Sequence, residues 1–227
     1  MSCVKTNAKL SIFIYSRRMS QIYVELYPNE ERFNVVTHLP GVLLGIVGTV
    51  FLLLKPETSL ISKAAFSIYG LTLTVLYSAS CLYHNCKEPT KKTLLKKCDH
   101  GAIYLFMGGC YTPFVINNMI GPWKNGFLAV VWLFVVLGVA YKFLSQYRTR
   151  FLSVTLYIAF GFFCFVVKQD FLDQIPTHSF NTLVAGGACY LIGVIFYVNK
   201  SIPYHHAIWH LFVLLGSSFH YYAIYHS

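Results

Sequence analysis

Two histidines near the C-terminal end of the sequence have the spacing of a metal-binding pair. His206 and His210 lie in the stretch HHAIWH at residues 205–210. On a helix, residues four apart lie on one face one turn apart, so the two imidazole rings can reach the same ion. Helical histidine pairs of this kind bind zinc in metalloenzymes. The pair alone leaves an alternative open, in which both rings face water or lipid headgroups at the start of a helix.

Further residues of the same chemical kind lie at the ends of two other apolar segments. One segment ends in the stretch SCLYH, with Ser80 one helical turn before His84, and the next segment opens with the stretch CDH, in which Asp99 is the carboxylate. A third histidine would complete the three protein ligands typical of a catalytic zinc site, whose fourth position holds water. A carboxylate beside such a site can act as a general base. Whether these residues meet depends on the elements that carry them.

The composition is that of a membrane protein. Of the 227 residues, 56% are hydrophobic and 11% are charged, whereas a soluble domain carries roughly a quarter charged residues. The mean hydropathy is +0.55. The apolar residues form long runs, and about 20 of them in a helix cross the hydrocarbon core of a bilayer. The formal net charge of +10 is typical of basic loops at a membrane surface, and no nucleic-acid motif accompanies it.

The apolar runs predict an all-α bundle of seven transmembrane helices. Turn and charge signals separate the predicted spans, which are 34–54, 60–83, 100–118, 126–144, 151–167, 181–198 and 205–225. Residues 1–33 are polar and basic, so we expect an N-terminal segment over 1–33 and a membrane domain over 34–227. The lysine-rich stretch 87–97 is expected to be a loop between the second and third spans.

The distribution of basic residues predicts the orientation of these helices. Fourteen of the 18 lysines and arginines fall on the side that holds the N-terminus and the even-numbered loops, and four fall on the other side. Cytoplasmic loops carry the excess of lysine and arginine. The N-terminus is therefore expected in the cytoplasm, and seven crossings would place the C-terminus outside.

This topology brings the candidate site residues to one level of the membrane. The second helix ends, and the third and seventh begin, near the cytoplasmic leaflet. Ser80, His84, Asp99, His206 and His210 are therefore expected at one depth, with Asp99 as the only carboxylate there. Ionisable side chains at membrane depth are costly and indicate a function. We therefore predict a zinc ion held by the three histidines.

Two other histidines are less clearly placed. His38 lies near the inner end of the first span, where it could support the metal ligands, although a packing role is the simpler interpretation. His220 is ten residues beyond His210, about 15 Å along a helix, so it cannot reach the same ion. It is interpreted as a hydrogen-bonded histidine between helices or as a polar residue of the outer leaflet.

At these residues the chain resembles the hemolysin III family, within the wider progestin and adipoQ receptor (PAQR) group. The resemblance covers residues 30–225. It rests on the stretches ERFNVVTH at 31–38, SCLYH at 80–84, DHGAIY at 99–104, YTPF at 111–114 and IPYHHAIWHLFV at 202–213. The chain looks like the compact bacterial-type members, and we expect it in a cell membrane, plasma or inner.

The resemblance implies the fold, the metal and the residues that hold it. It implies seven helices with a cytoplasmic N-terminus and zinc held by His84, His206 and His210. Asp99 and Ser80 match the family's residues beside the site. The wider superfamily includes alkaline ceramidases, which hydrolyse lipid amides, while hemolysin III members are named for a cytolytic activity attributed to pores.

Three functions follow as alternatives. The first is an intramembrane zinc-dependent hydrolase of lipid amides or esters, in which Asp99 takes a proton from water and Ser80 orients a ligand or donates to the oxyanion. The second is a pore-forming hemolysin, although no span has the polar stripe of a pore-lining helix. The third is a receptor or membrane-homeostasis protein with a structural zinc. All three place the protein in a lipid bilayer, and the first adds a lipid-like substrate.

The predicted orientation can be tested with fusions at each terminus. A fluorescent protein at the N-terminus should fold and fluoresce, and alkaline phosphatase at the C-terminus should be active, because the first reporter works in the cytoplasm and the second outside it. Phosphatase activity from the N-terminal fusion would show that the assignment is inverted.

Overall fold

The computed structural model describes residues 29–145 and 150–227, and within these ranges the chain is helical with no strand. Seven α-helices follow one another, and we number them in chain order. They are α1 (Glu30–Leu53), α2 (Leu60–Asn85), α3 (Pro89–Asn118), α4 (Lys124–Leu144), α5 (Arg150–Gly161), α6 (Thr177–Val198) and α7 (His205–Tyr225). Two short 3-10 helices, Phe163–Val167 and Leu172–Gln174, lie between α5 and α6. The all-α prediction is confirmed for the described residues.

Five of these helices are long and apolar enough to cross a membrane. They are α1, α2, α4, α6 and α7. The apolar stretch Phe151–Val167 is shorter, and α3 carries several lysines in its first three turns. The chain is therefore a membrane protein with several apolar helices, and five of the seven predicted spans meet this test on their own.

The prediction for the third span was wrong at its beginning. The lysine-rich stretch 87–97 was expected to be a loop, but α3 begins at Pro89 and runs for 30 residues. Proline at the first position of a helix costs no hydrogen bond, because its missing N–H would have had no partner there. Lysine is also a good helix former, so its charge indicates an aqueous environment and not a break in the helix.

Three other boundaries differ from the prediction. Helix α1 begins at Glu30, four residues before the predicted start, so it includes the last residues of the expected N-terminal segment. The rest of that segment, 1–28, lies outside the described residues. Helix α6 begins at Thr177, four residues before the predicted start at 181. The fifth span is not one helix, since α5 ends at Gly161 and Phe163–Val167 forms a 3-10 turn.

Close contacts between sequential helices define the bundle. Helix α2 packs between α1 and α3, α6 packs against α7, and α7 returns to α1. Glycines let the first two helices approach: a Cβ added to Gly45 would overlap Thr74 Oγ1 and would lie 3.0 Å from the Thr74 backbone nitrogen. Small residues serve the same purpose in other membrane bundles. This packing brings the starts of α1, α3 and α7 to the end of α2.

The contact between α1 and α2 predicts a stability effect. Gly45→Ala should lower the free energy of unfolding by about 1–3 kcal/mol, the usual cost of overpacking, because the Thr74 backbone cannot move aside by a side-chain rotation. The measurement is the thermal unfolding midpoint in detergent. Gly187→Ala is the control, because a Cβ at Gly187 would meet no atom within 4 Å. Equal midpoints for both variants would contradict this account of the packing.

Candidate metal centre

Three histidine side chains meet where α2 ends and α7 begins. One ring nitrogen from each of His84, His206 and His210 lies within 4.8 Å of the other two. The ring centroids of His84 are 5.0 Å from those of both His206 and His210, and the latter two are 4.7 Å apart. Nitrogens this close can hold one metal ion. The structure thus brings together the three residues that the sequence singled out as ligands.

The three rings come from the C-terminal end of one helix and the N-terminal end of another. His84 lies in the last turn of α2, and the pair on α7 lies in its first two turns. The residue before α7, Tyr204, has a left-handed backbone with φ of 54°, a conformation that costs a residue with a Cβ roughly 1–2 kcal/mol. Its ring packs edge-on to Phe33 of α1 at 5.1 Å. The contact with α1 therefore helps to hold the turn that precedes the ligands.

A carboxylate fixes the proton on His84. Glu31 Oε2 lies 2.5 Å from His84 Nδ1, and a carboxylate oxygen can only accept, so Nδ1 donates to it. Asn34 Nδ2 also lies 3.3 Å from the same nitrogen, but an amide N–H cannot donate to a nitrogen that carries a proton, so this contact is not a hydrogen bond in that tautomer. With its proton on Nδ1, the neutral ring presents the lone pair of Nε2.

A backbone carbonyl fixes the proton on His210 in the same way. His210 Nδ1 lies 3.0 Å from the carbonyl oxygen of Asn34, so this nitrogen donates. The Thr37 hydroxyl is 3.4 Å from the same nitrogen but donates its own proton to the Phe33 carbonyl at 2.8 Å. His210 therefore also presents its Nε2 lone pair.

The remaining ring nitrogens have the properties expected of metal ligands. Nε2 of His84, of His206 and of His210 is buried and has no hydrogen-bond partner among the described residues. Leaving one buried polar atom unpaired costs about 1–3 kcal/mol, so three together are unfavourable without a ligand. Histidines that bind metals commonly donate their other nitrogen to a carboxylate or a carbonyl. The site therefore fits a divalent metal ion such as zinc.

Asp99 lies next to this cluster and is not part of it. The carboxylate is buried, and His84, Ser80 and Lys96 are the neighbours that act on it electrostatically. It is not among the groups that lie within 4.8 Å of one another. The Ser80 hydroxyl is beside it but forms no hydrogen bond of good geometry with any described residue. Asp99 is thus placed beside the histidines and not as a fourth ligand of equal distance.

The two histidines left open by the sequence have different positions. The ring of His38 stacks on that of His210, with centroids 3.5 Å apart and planes 11° apart, and meets Tyr77 edge-on. His38 therefore lies against a ligand and fills a packing role there. His220 packs between α6 and α7, edge-on to Tyr190 at 5.2 Å, and is not part of the histidine cluster.

An apolar cavity lies inside the bundle and reaches residues beside the histidine cluster. Its volume is about 430 Å³, and its walls come mainly from α3, α5, α6 and α7. His38, Asp99 and His100 are among its lining residues, together with apolar residues such as Phe171, Leu172 and Phe180. Most of the lining is apolar, so the cavity suits a hydrocarbon chain with a polar group near the histidines.

The sequence interpretation missed the contribution of α1. Asp99 was expected to be the only carboxylate at this depth, and that was wrong, because α1 begins early enough to carry Glu31 to His84. Glu31, Asn34 and His38 are spaced by three and four residues, which places them on one helix face. That spacing, next to a predicted membrane helix, was the signal that could have found them.

These features define a class: a helical membrane protein with several apolar helices and a cluster of three histidines, near one end of the bundle, that could hold a metal ion. The family described as "Haemolysin-III related" matches residues 26–221. The chain belongs to the haemolysin III family, which confirms the family predicted from the sequence.

Individual relatives agree with this assignment. The chain is 34% identical to "Hemolysin-3" of Bacillus cereus over 200 residues, which cover 87% of this chain and 91% of the relative. It is 36% identical to "Hemolysin-3 homolog" of Bacillus subtilis (strain 168) over 191 residues, covering 83% and 90%. It is 30% identical to human "Monocyte to macrophage differentiation factor" over 201 residues, covering 86% and 83%. The similarity thus extends over nearly the whole length of each protein.

The metal centre predicts a composition and its loss on mutation. Purified protein should hold about one zinc ion per chain, as three histidine ligands imply. His84→Ala, His206→Ala and His210→Ala should each lose most of this zinc, measured by plasma mass spectrometry. His220→Ala is the control and should retain it. Loss of zinc from the control with retention by His84→Ala would place the metal elsewhere.

Proposed function

We propose that the protein is an intramembrane zinc-dependent hydrolase that acts on a lipid amide or ester. The observation that carries this proposal is the set of three converging, unpaired Nε2 atoms with a buried carboxylate beside them. This is the donor set of a catalytic zinc site, which uses three protein ligands and leaves a position for water.

The residues of the chain suggest separate roles in hydrolysis. When bound, zinc supplies Lewis acidity, which makes water a stronger acid and polarises a carbonyl group. Asp99 lies beside the ligands without being one of them, so its carboxylate is available to accept a proton from water and to return it to the leaving group. The unpaired hydroxyl of Ser80 is available to donate a hydrogen bond to the developing oxyanion.

The cavity supports a lipid as the substrate. An acyl chain would lie along the apolar wall, with its amide or ester group beside His38, Asp99 and His100. Water must reach the amide or ester group, while the acyl chain stays in apolar surroundings. An apolar cavity with a few polar groups in its lining meets both needs.

The charge distribution supports an orientation within the cell membrane. We propose that all seven helices cross the bilayer, with α3 and α5 completing the five that qualify by length and apolarity alone. The lysines of α3 would then face the cytoplasm, as the excess of basic residues at that end favours. The metal centre would lie near the cytoplasmic leaflet.

The name of the Bacillus cereus relative, "Hemolysin-3", suggests pore formation as a second function. The cavity gives this little support, since its wall is mostly apolar and a water-filled pore needs a polar lining. A structural zinc in a receptor or membrane-homeostasis protein is the remaining alternative, and it predicts no turnover.

Asp99→Asn separates these possibilities. The substitution keeps the shape of the side chain and removes its basicity, so zinc should stay bound through the three histidines. Lipid hydrolysis should fall by ~10²-fold or more, the scale on which general-base catalysis contributes. The measurements are zinc content and the release of fatty acid from a panel of amides and esters, followed by mass spectrometry.

Two outcomes would contradict this proposal. Hydrolysis that Asp99→Asn leaves unchanged would remove Asp99 from the mechanism. Wild-type protein that holds zinc and hydrolyses nothing in a broad lipid panel would favour the structural role of the metal.

A further inference from the structure

Beyond the ligands themselves, one carboxylate contacts the metal centre from α1. We propose that Glu31 is a positioning residue that sets the affinity of the site through His84, and that Lys92 of α3 holds Glu31 in place. This inference rests on the metal-binding part of the proposed function and assigns no role in the reaction to either residue.

Each carboxylate oxygen of Glu31 contacts a different residue. Oε2 lies 2.5 Å from His84 Nδ1, and Oε1 lies 2.7 Å from the Lys92 ammonium nitrogen. Both contacts are charge-assisted hydrogen bonds, which are shorter and stronger than neutral ones. One carboxylate therefore connects a ligand at the end of α2 to the exposed beginning of α3.

The contact with His84 acts on the metal in two ways. It places the ring proton on Nδ1, so that Nε2 carries the lone pair, and it fixes the plane of the ring. A carboxylate that accepts from a ligand histidine also raises the basicity of that ligand. Among residues 29–145 and 150–227, His84 is the one member of the cluster with a carboxylate partner.

Lys92 is needed because Glu31 is not buried. The Glu31 side chain is 50% exposed, so the carboxylate on its own would sample several rotamers in contact with water. Lys92 is itself restrained, since its ammonium lies over the Tyr83 ring at 5.4 Å from the centroid. The lysine thus reduces the number of positions that the carboxylate can take and keeps it against His84.

The chain offers a matched control pair next to this one. Lys91 forms an ion pair with Glu88 at 2.7 Å, the same distance as the pair of Lys92 and Glu31. The two lysines are neighbours in sequence, and both pairs lie near the start of α3. The Glu88 pair is more exposed, and Glu88 is not part of the histidine cluster.

The test is a measurement of zinc affinity on the purified full chain by competition with a chelator. Glu31→Gln should weaken zinc binding by about 10- to 100-fold, the usual effect of losing such a partner. Lys92→Gln should give a smaller loss, because the carboxylate is still present, and Glu88→Gln should bind zinc as the wild type does. Cobalt substituted for zinc should show an altered visible spectrum in Glu31→Gln, because the His84 ring is no longer fixed.

The outcomes distinguish the inference from the function on which it rests. Wild-type protein that binds no zinc would overturn the metal site and this inference with it. Tight binding by the wild type, with equal affinity in Glu31→Gln and Glu88→Gln, would overturn the inference alone. If Glu31→Gln lowers both the zinc affinity and the unfolding midpoint of the metal-free protein, and the cobalt spectrum is unchanged, then Glu31 has a purely structural role. That result would also overturn the inference.

Discussion

The position of one proton on each histidine ring is the constraint on which the metal centre depends. A neutral imidazole has one N–H and one lone pair, so a ligand is ready for a metal only when its proton is on the outer nitrogen. The structure achieves this at His84 with the Glu31 carboxylate and at His210 with the Asn34 carbonyl. Both acceptors belong to the first turns of α1. The fit of α1 against α2 and α7, including the glycine contacts, therefore determines whether the rings point their lone pairs inwards.

The cost of this arrangement explains why it indicates function. Polar groups inside a bilayer are expensive, and unpaired buried nitrogens add to that cost. The bundle nevertheless collects three such nitrogens, the stacked ring of His38 and a buried aspartate at one end. Elsewhere the cavity wall is mostly apolar. This concentration of unpaired polar atoms beside an apolar cavity is the observation on which the proposed metal and lipid site rests.

Much of this could be predicted from the sequence, and the errors have a common cause. The spacing of His206 and His210 placed them on one helix face, and the alternation of the helices brought His84 to the same end. Both statements depend on periodicity and on hydropathy, which the sequence displays directly. The starts of α1 and α3 were missed because both helices begin in polar sequence, where hydropathy stops being informative. Glu31 was missed because the start of α1 was placed too late: a carboxylate ahead of a predicted span looks like part of a solvated segment.

The length of α3 has a consequence for the depth at which the histidine end of the bundle lies relative to the membrane surface. Its 30 residues make a rod of about 45 Å, longer than the ~30 Å hydrocarbon core. Lys92 and Asp99 are on this rod, seven residues or ~10 Å apart along its axis. In the proposed orientation the lysines stay with the lipid headgroups. The rise of the helix then sets the depth of Asp99 below the headgroups. If the protein hydrolyses lipids as proposed, the bond that is cleaved would lie at that depth, and the distance from headgroup to amide or ester would select the lipids that fit.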